Sequence, residues 1–262
     1  MHVCYDSRKL HSAPVTFTRN VGFRKRERQL AVVRILSAGA TQAVVERIAT
    51  AYTSDTGNGV KGEFSAVGAM KARVIGGEPV DVVVLTRAMI DELSASGHIV
   101  SGSRADLGRV GTGVAVRAGT PLPDVSNARV LRANLLAANR IVCPDPAVAT
   151  AGKVVMRALD LLGIAAQVKA RLRFFPNGYA AMRWLAGRRG ALEAGITQTT
   201  EIVANNGVTY VGPLPDELQM KTIYSAGLAS RAANPDAARD FIARLTAPAA
   251  RSMLARAGFE FD

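Results

Sequence analysis

Apolar positions along the chain alternate between short continuous runs and stretches spaced by three and four. Ala31-Val32-Val33-Arg34-Ile35-Leu36 is a strand-length run, followed by the small-residue turn Ser37-Ala38-Gly39-Ala40. Val44, Ile48 and Tyr52 then recur every four residues with Val45 and Ala49 beside them, which predicts a helix with one apolar face. The stretch from Asp55 to Gly59 ends that helix, and Phe64 closes a second short strand. Ala66-Val67-Gly68-Ala69 opens a second helix through Val74 and Ile75, which Gly76-Gly77-Glu78-Pro79 breaks. Val80-Asp81-Val82-Val83-Val84-Leu85 is the near-continuous apolar run expected of a strand covered on both faces. Arg87 to Ser96 reads as helix, with Gly97 as its stop.

The same rhythm returns later. Strands are predicted over 140–143, 172–175 and 194–197, with helices from Thr150 through Leu162 and over 178–186. A returning strand spans 223–229, and the chain closes with helices over 235–245 and 248–257, each with Pro near its first turn. Strands alternating with helices predict an α/β fold with mostly parallel, helix-covered sheets. Gly111-Thr112-Gly113 and the stretch Pro213 to Pro215 are the places where the chain is expected to cross between two domains.

Composition narrows the function classes. The 262 residues are 48% hydrophobic and only 5% aromatic, so two modest cores built on Val, Ile, Leu and Ala fit the length. No apolar stretch reaches the ~18 residues of a membrane span. Residues 1–30 carry seven Lys/Arg against Asp6 and Glu27, a local +5 that leaves +7 of the net +12 for the rest. The run Arg24-Lys25-Arg26-Glu27-Arg28 reads as part of a basic, flexible extension over 1–30 and not as a nucleic-acid reader, because no aromatics interleave with it. Residues 1–30 also lack the apolar segment of a secretory signal peptide. Cys4 and Cys143 do not suggest a disulfide, and His2, His11 and His98 form no cluster of metal-site spacing. No metal and no cofactor are expected.

Familiar catalytic signatures fail on context. Gly57-Asn58-Gly59-Val60-Lys61-Gly62 fits the spacing of a dinucleotide loop, but a helix precedes it and a strand follows, the reverse of what that loop needs. Gly152-Lys153 resembles the end of a phosphate loop, yet Ala147 stands where its first glycine belongs and Val154 where Ser/Thr should be. No nucleophile elbow is present, and Cys143 is expected to be a buried small hydrophobe.

What survives is a set of helix starts made of small residues just after strands: Gly39-Ala40-Thr41, Val67-Gly68-Ala69 and Thr150-Ala151-Gly152. A helix start exposes backbone N–H groups and a partial positive charge, and small side chains let an anion approach. Lys153, Gln198 and Thr199 are candidates for further polar contacts; Lys153 could equally be a solvated first-turn lysine. Asp81, Asp145 and Glu201 are the acidic residues nearest the expected cleft, and each is expected to be structural.

The stretches 33–40, 60–65 (Val-Lys-Gly-Glu-Phe-Ser) and 77–82 (Gly-Glu-Pro-Val-Asp-Val) resemble the molybdate-binding proteins of ABC transporters, which are type 2 periplasmic binding proteins. Further matches are Pro144-Asp145-Pro146 with Ala151-Gly152, Asn177, Gly195-Ile196-Thr197 and Ala257-Gly258-Phe259, so the likeness runs over about residues 32–260. The resemblance implies two lobes, hinged by two crossing strands, with an anion in the cleft. Domain 1 would comprise 31–111 plus 221–262, and domain 2 would comprise 112–220. It also implies an ABC permease as partner and a periplasmic site of action; with no signal segment visible, either the start site is misassigned or the cytoplasm is the alternative, and a monomer that binds no nucleic acid is expected. The family's two serines fall at Ala40 and Val67 and its tyrosine at Gln198, so three hydroxyls are missing. At about 0.5–1.5 kcal/mol for each lost hydrogen bond, tight molybdate binding is not expected. A small organic carboxylate is the other candidate ligand. Isomerases of small tricarboxylates such as aconitate share this family resemblance and give an enzymatic alternative. Transcription regulators that share the fold need about 60 residues of DNA-binding helices ahead of it, more than the first 30 residues supply.

Overall fold

The computed structural model describes Met1 and residues 30–188 and 192–261. The basic run at Arg24–Arg28, Cys4, His2 and His11 lie outside the described residues. From the first strand on, the elements are β1 (Val32–Ala38), α1 (Gln42–Thr56), β2 (Gly59–Ser65), α2 (Val67–Ile75), β3 (Val82–Thr86), α3 (Arg87–Ala95) and β4 (Ala105–Val110). They continue as β5 (Thr112–Arg117), α4 (Ala128–Ala137), β6 (Arg140–Pro144), α5 (Thr150–Leu161), α6 (Ala165–Val168) and β7 (Leu172–Phe175). Next come α7 (Gly178–Ala186), β8 (Glu193–Gln198), α8 (Thr199–Val203) and β9 (Val208–Pro213). The last are β10 (Thr222–Leu228), α9 (Pro235–Thr246), α10 (Arg251–Arg256) and β11 (Phe259–Glu260).

These strands form two sheets, ordered β11-β4-β10-β3-β1-β2 and β7-β6-β8-β5-β9. In the first, β1 runs parallel to β2 and β3, while β10 is antiparallel to β3 and β4. In the second, β6 runs parallel to β7 and β8, and β5 is antiparallel to β8 and β9. The first sheet draws on both ends of the described chain and the second on its middle. The result is the two-lobed α/β fold of mixed, helix-covered sheets.

Each lobe has its own core, as the composition requires. Lobe 1 buries all five residues of β3 between its helices. Two of its largest buried side chains, Tyr52 and Phe241, meet edge to face at 5.3 Å. Tyr52 is hydrogen-bonded on both sides, donating to Ala237 O at 3.1 Å and accepting from Asn58 Nδ2 at 3.0 Å. The buried Asp81 accepts from Arg34 N at 2.8 Å and Asn234 N at 3.0 Å, so it ties the two ends of lobe 1 together. Lobe 2 packs Leu131, Ile141, Leu159 and Ile164 around Cys143. Burial there pushes the Cys143 thiol up to about 12, which keeps it an inert neutral group.

Two segments cross between the lobes, at Gly111 and over 214–221. The Gln219 amide joins them: Nε2 donates to Thr112 O at 2.8 Å, and Thr112 N donates to its Oε1 at 2.9 Å. Thr199 adds a backbone donor at 2.9 Å and a hydroxyl at 3.1 Å to Gly111 O. Gln219→Ala removes both amide bonds from a half-buried site. The unfolding free energy should drop by about 1 kcal/mol, measurable by urea denaturation.

Candidate functional site

Helix starts from both lobes meet at one cavity. From lobe 1 come the end of β1 with the 3₁₀ turn Gly39–Thr41, and the start of α2. From lobe 2 come the starts of α5 and α7 and the end of β8. The α2 and α5 starts have Ala66 and Ala149 as their N-cap residues, so neither helix receives a side-chain cap. An alanine cap leaves the exposed N–H groups of the first turn without a side-chain acceptor. Asn177, by contrast, caps α7 by accepting from Ala180 N at 2.8 Å.

Among the positions singled out from sequence, Gly39, Ala40, Val67, Thr150, Ala151 and Gln198 line this cavity. The other candidates are placed differently. Thr41 is fully buried, with its hydroxyl bonded to Ser37 Oγ at 2.6 Å and to Ala38 O at 3.0 Å. Gly68 donates its N–H across the cleft to Val148 O at 3.1 Å, so it clasps the lobes together instead of facing a ligand. Ala69 is half-buried on α2 behind it. Gly152 packs against the backbone of Pro144–Pro146, where no side chain fits. Lys153 is exposed, and Thr199 belongs to the hinge. Gln198 lines the cavity, yet its amide, oriented to donate, reaches Gly111 O at 3.1 Å and Val110 O at 3.3 Å.

The cavity also brings in residues that sequence patterning did not single out as ligand contacts, among them Ser65, Gly178 and Tyr224. Gly178 carried a readable signal, as a glycine directly after the helix-capping Asn177. Tyr224 lies in a strand with no motif around it and could be found only in three dimensions.

Glu201 lines the same cavity and is buried. Its carboxylate accepts from Thr197 Oγ1 at 2.5 Å and Gly178 N at 3.2 Å. Burial nevertheless pushes its pKa up to about 7, outweighing these donors and the backbone N–H groups of Gln198 and Tyr179. Glu201 also sits where the lobes touch, since a Cβ on Gly39 would lie 2.9 Å from its Oε1. Asp81 and Asp145 are structural: Asp81 is tied within lobe 1, and Asp145 Oδ1 accepts from Ala147 N at 2.8 Å.

With the lobes in contact, the cavity measures about 20 Å³. That is room for about one water molecule. A ligand the size of a tricarboxylate therefore needs the hinge to open.

Fold and cleft together define a two-lobed binding-protein architecture. The chain belongs to the bacterial extracellular solute-binding protein family, whose profile matches residues 33–260. It is 30% identical over 234 residues to an aconitate isomerase from Pseudomonas sp, covering 86% of each chain. Its fold is similar to that of the periplasmic molybdate-binding protein of Azotobacter vinelandii, with a TM-score of 0.75 and 21% identity over 88% of this chain and 99% of that one. It is also similar to the sulfate-binding protein SubI of Mycobacterium tuberculosis H37Rv, with a TM-score of 0.71 and 16% identity over 87% and 86% of the two chains.

Proposed function

We propose that the protein captures a small organic carboxylate in the cleft between its lobes, as the solute-binding component of an ABC-type importer. The observation that supports this most is the meeting of two helix starts without side-chain caps, α2 from lobe 1 and α5 from lobe 2, at one cavity. Such starts hold negative charge through backbone N–H groups and need no cationic side chain. A carboxylate is preferred to molybdate because Ala40 and Val67 supply no hydroxyl, and because Gln198 turns its amide to the hinge. Gly39, Ala40, Val67, Thr150 and Ala151 are the contacts assigned to the ligand. On this reading the protein acts outside the cytoplasmic membrane and hands its ligand to a permease.

A thermal-shift panel of citrate, cis- and trans-aconitate, molybdate, tungstate and sulfate tests the assignment. A ligand at 100 times its Kd adds about 2.7 kcal/mol of stability. Citrate or an aconitate should raise the melting temperature and molybdate should not. No shift with any of the six anions defeats the reading.

The likeness to an aconitate isomerase and a carboxyl group titrating near neutrality in the cleft favour a second reading, an isomerase acting on a small unsaturated polycarboxylate. Glu201 is the group able to move a proton there. Incubating each aconitate isomer with the protein and following the other by NMR separates the readings: binding without interconversion leaves only the first.

A further inference from the structure

Gln198 lines the cavity from lobe 2, but its amide is committed to the hinge carbonyls of Val110 and Gly111. A phenol reaches the same cavity from the opposite lobe. Tyr224, on β10, is 2% exposed and lines the cavity. Its backbone sits at an irregularity in the sheet: Tyr224 pairs with Gly108 but Ser225 pairs with Asp106, so β4 carries an extra residue at Leu107. Gly108 has φ of 146°, a conformation that favours glycine. A bulge of this kind re-aims the side chains beside it.

The hydroxyl of Tyr224 meets no hydrogen-bonding partner among the described residues. The oxygen is not one of the fully buried side-chain atoms left without a partner, so it opens onto the cavity it lines, and a phenylalanine there would fill the same core space and lose only that donor. Tyr52, the other large buried tyrosine of lobe 1, has both its bonds made within the protein. Burial, and after it the nearby Glu201, raise the Tyr224 phenol well above its ordinary pKa. It therefore stays protonated at neutral pH, able to donate and unable to repel an anion.

We propose that Tyr224 is the ligand-orienting donor of the cleft, its O–H directed at a carboxylate or oxyanion oxygen held between the α2 and α5 starts. This rests on the anion-binding reading above and adds to it a specificity-determining residue. It assigns lobe 1 a directional contact beside the non-directional field of its helix start. Drawing the anion toward Tyr224 also draws lobe 1 onto the ligand, so the donor favours the closed arrangement.

The test compares the unaltered protein, Tyr224→Phe and Tyr52→Phe, each titrated with citrate, trans-aconitate and molybdate by calorimetry and melted without ligand. Tyr224→Phe should bind the effective anion roughly 10- to 100-fold more weakly, the expected loss of one hydrogen bond to a charged group. Without ligand it should melt at the same temperature as the unaltered protein or higher. Tyr52→Phe should show the reverse, a lower melting temperature with unchanged affinity. Equal affinity of Tyr224→Phe and the unaltered protein overturns the assignment. So does a clearly lowered melting temperature of ligand-free Tyr224→Phe, because the hydroxyl would then have a structural partner. If none of the three anions binds the unaltered protein, the anion-binding reading fails and takes the Tyr224 assignment with it. If they bind it and Tyr224→Phe alike, only the Tyr224 assignment fails.

Discussion

The unfolding free energy should fall by about 3 kcal/mol as pH is raised from about 5 to about 8, and this slope should vanish in Glu201→Gln. Glu201 has a pKa near 7 when folded, against an ordinary value of 4.5. Between those values the folded state holds a proton that the unfolded chain has released. Stability therefore declines as pH rises from the lower value to the higher one and levels off above it. At about 1.4 kcal/mol per pKa unit, the shift corresponds to about 3 kcal/mol. Urea denaturation at four pH values measures the trend directly. Burial is the cause, and the carboxylate is buried because Gly39 of lobe 1 and Gly178 of α7 close against it. A flat profile in the unaltered protein would show that its hydrogen-bond donors outweigh desolvation and that Glu201 is ionised throughout.

The second large effect concerns Gly152. Gly152→Ala should lower the unfolding free energy by about 2 kcal/mol, although alanine is the better helix former by up to about 1 kcal/mol. Position 152 lies in the first turn of α5. A Cβ there would sit 2.4 Å from Pro144 O, 2.6 Å from Pro146 N and 2.8 Å from the carbonyl carbon of Asp145. All three atoms are backbone, so no side chain can rotate out of the way. The helix must lift off the loop that follows β6, and the cavity wall at Ala149–Ala151 must move with it. Denaturant unfolding gives the stability change, and the anion panel reports the displaced wall as weaker binding. A stabilised variant would mean that the α5 start is free to shift.

Gly152 also illustrates how sequence and structure divide the information. The small-residue turns were legible as a set, because a helix start with no bulky side chain reads directly from the chain. What each glycine does was not. Gly39 makes room for a carboxylate from the other lobe, Gly68 donates across the cleft, and Gly152 fits against a neighbouring loop. Three similar local patterns thus serve three different contacts, two of them distant in sequence and one with the loop just before the helix. Gln198 and Thr199 were readable as polar groups after a strand, but only their distances to Gly111 assign them to the hinge.

Several elements escaped the periodicity reading for definable reasons. Strand β4 carries Asp106, Gly108 and Arg109 and lies between β10 and the two-residue β11, so no clean alternation marks it. Helix α8 has five residues, too few to show a 3.6-residue period. Strand β5, by contrast, is apolar enough to be strand-like, but its opening lies in a glycine-rich stretch that reads as a crossing point.

The sequence by itself determined the α/β class, the long helices and covered strands, and the small-residue helix starts. Each follows from local periodicity, propensity or the absence of side-chain bulk. Only the tertiary structure decided that starts from two lobes share one cavity and that Glu201 is buried at their junction. It alone decided that Tyr224 enters from the far side. Those facts depend on which strands pair and how the lobes close, and nothing within a few residues of any of these positions specifies either.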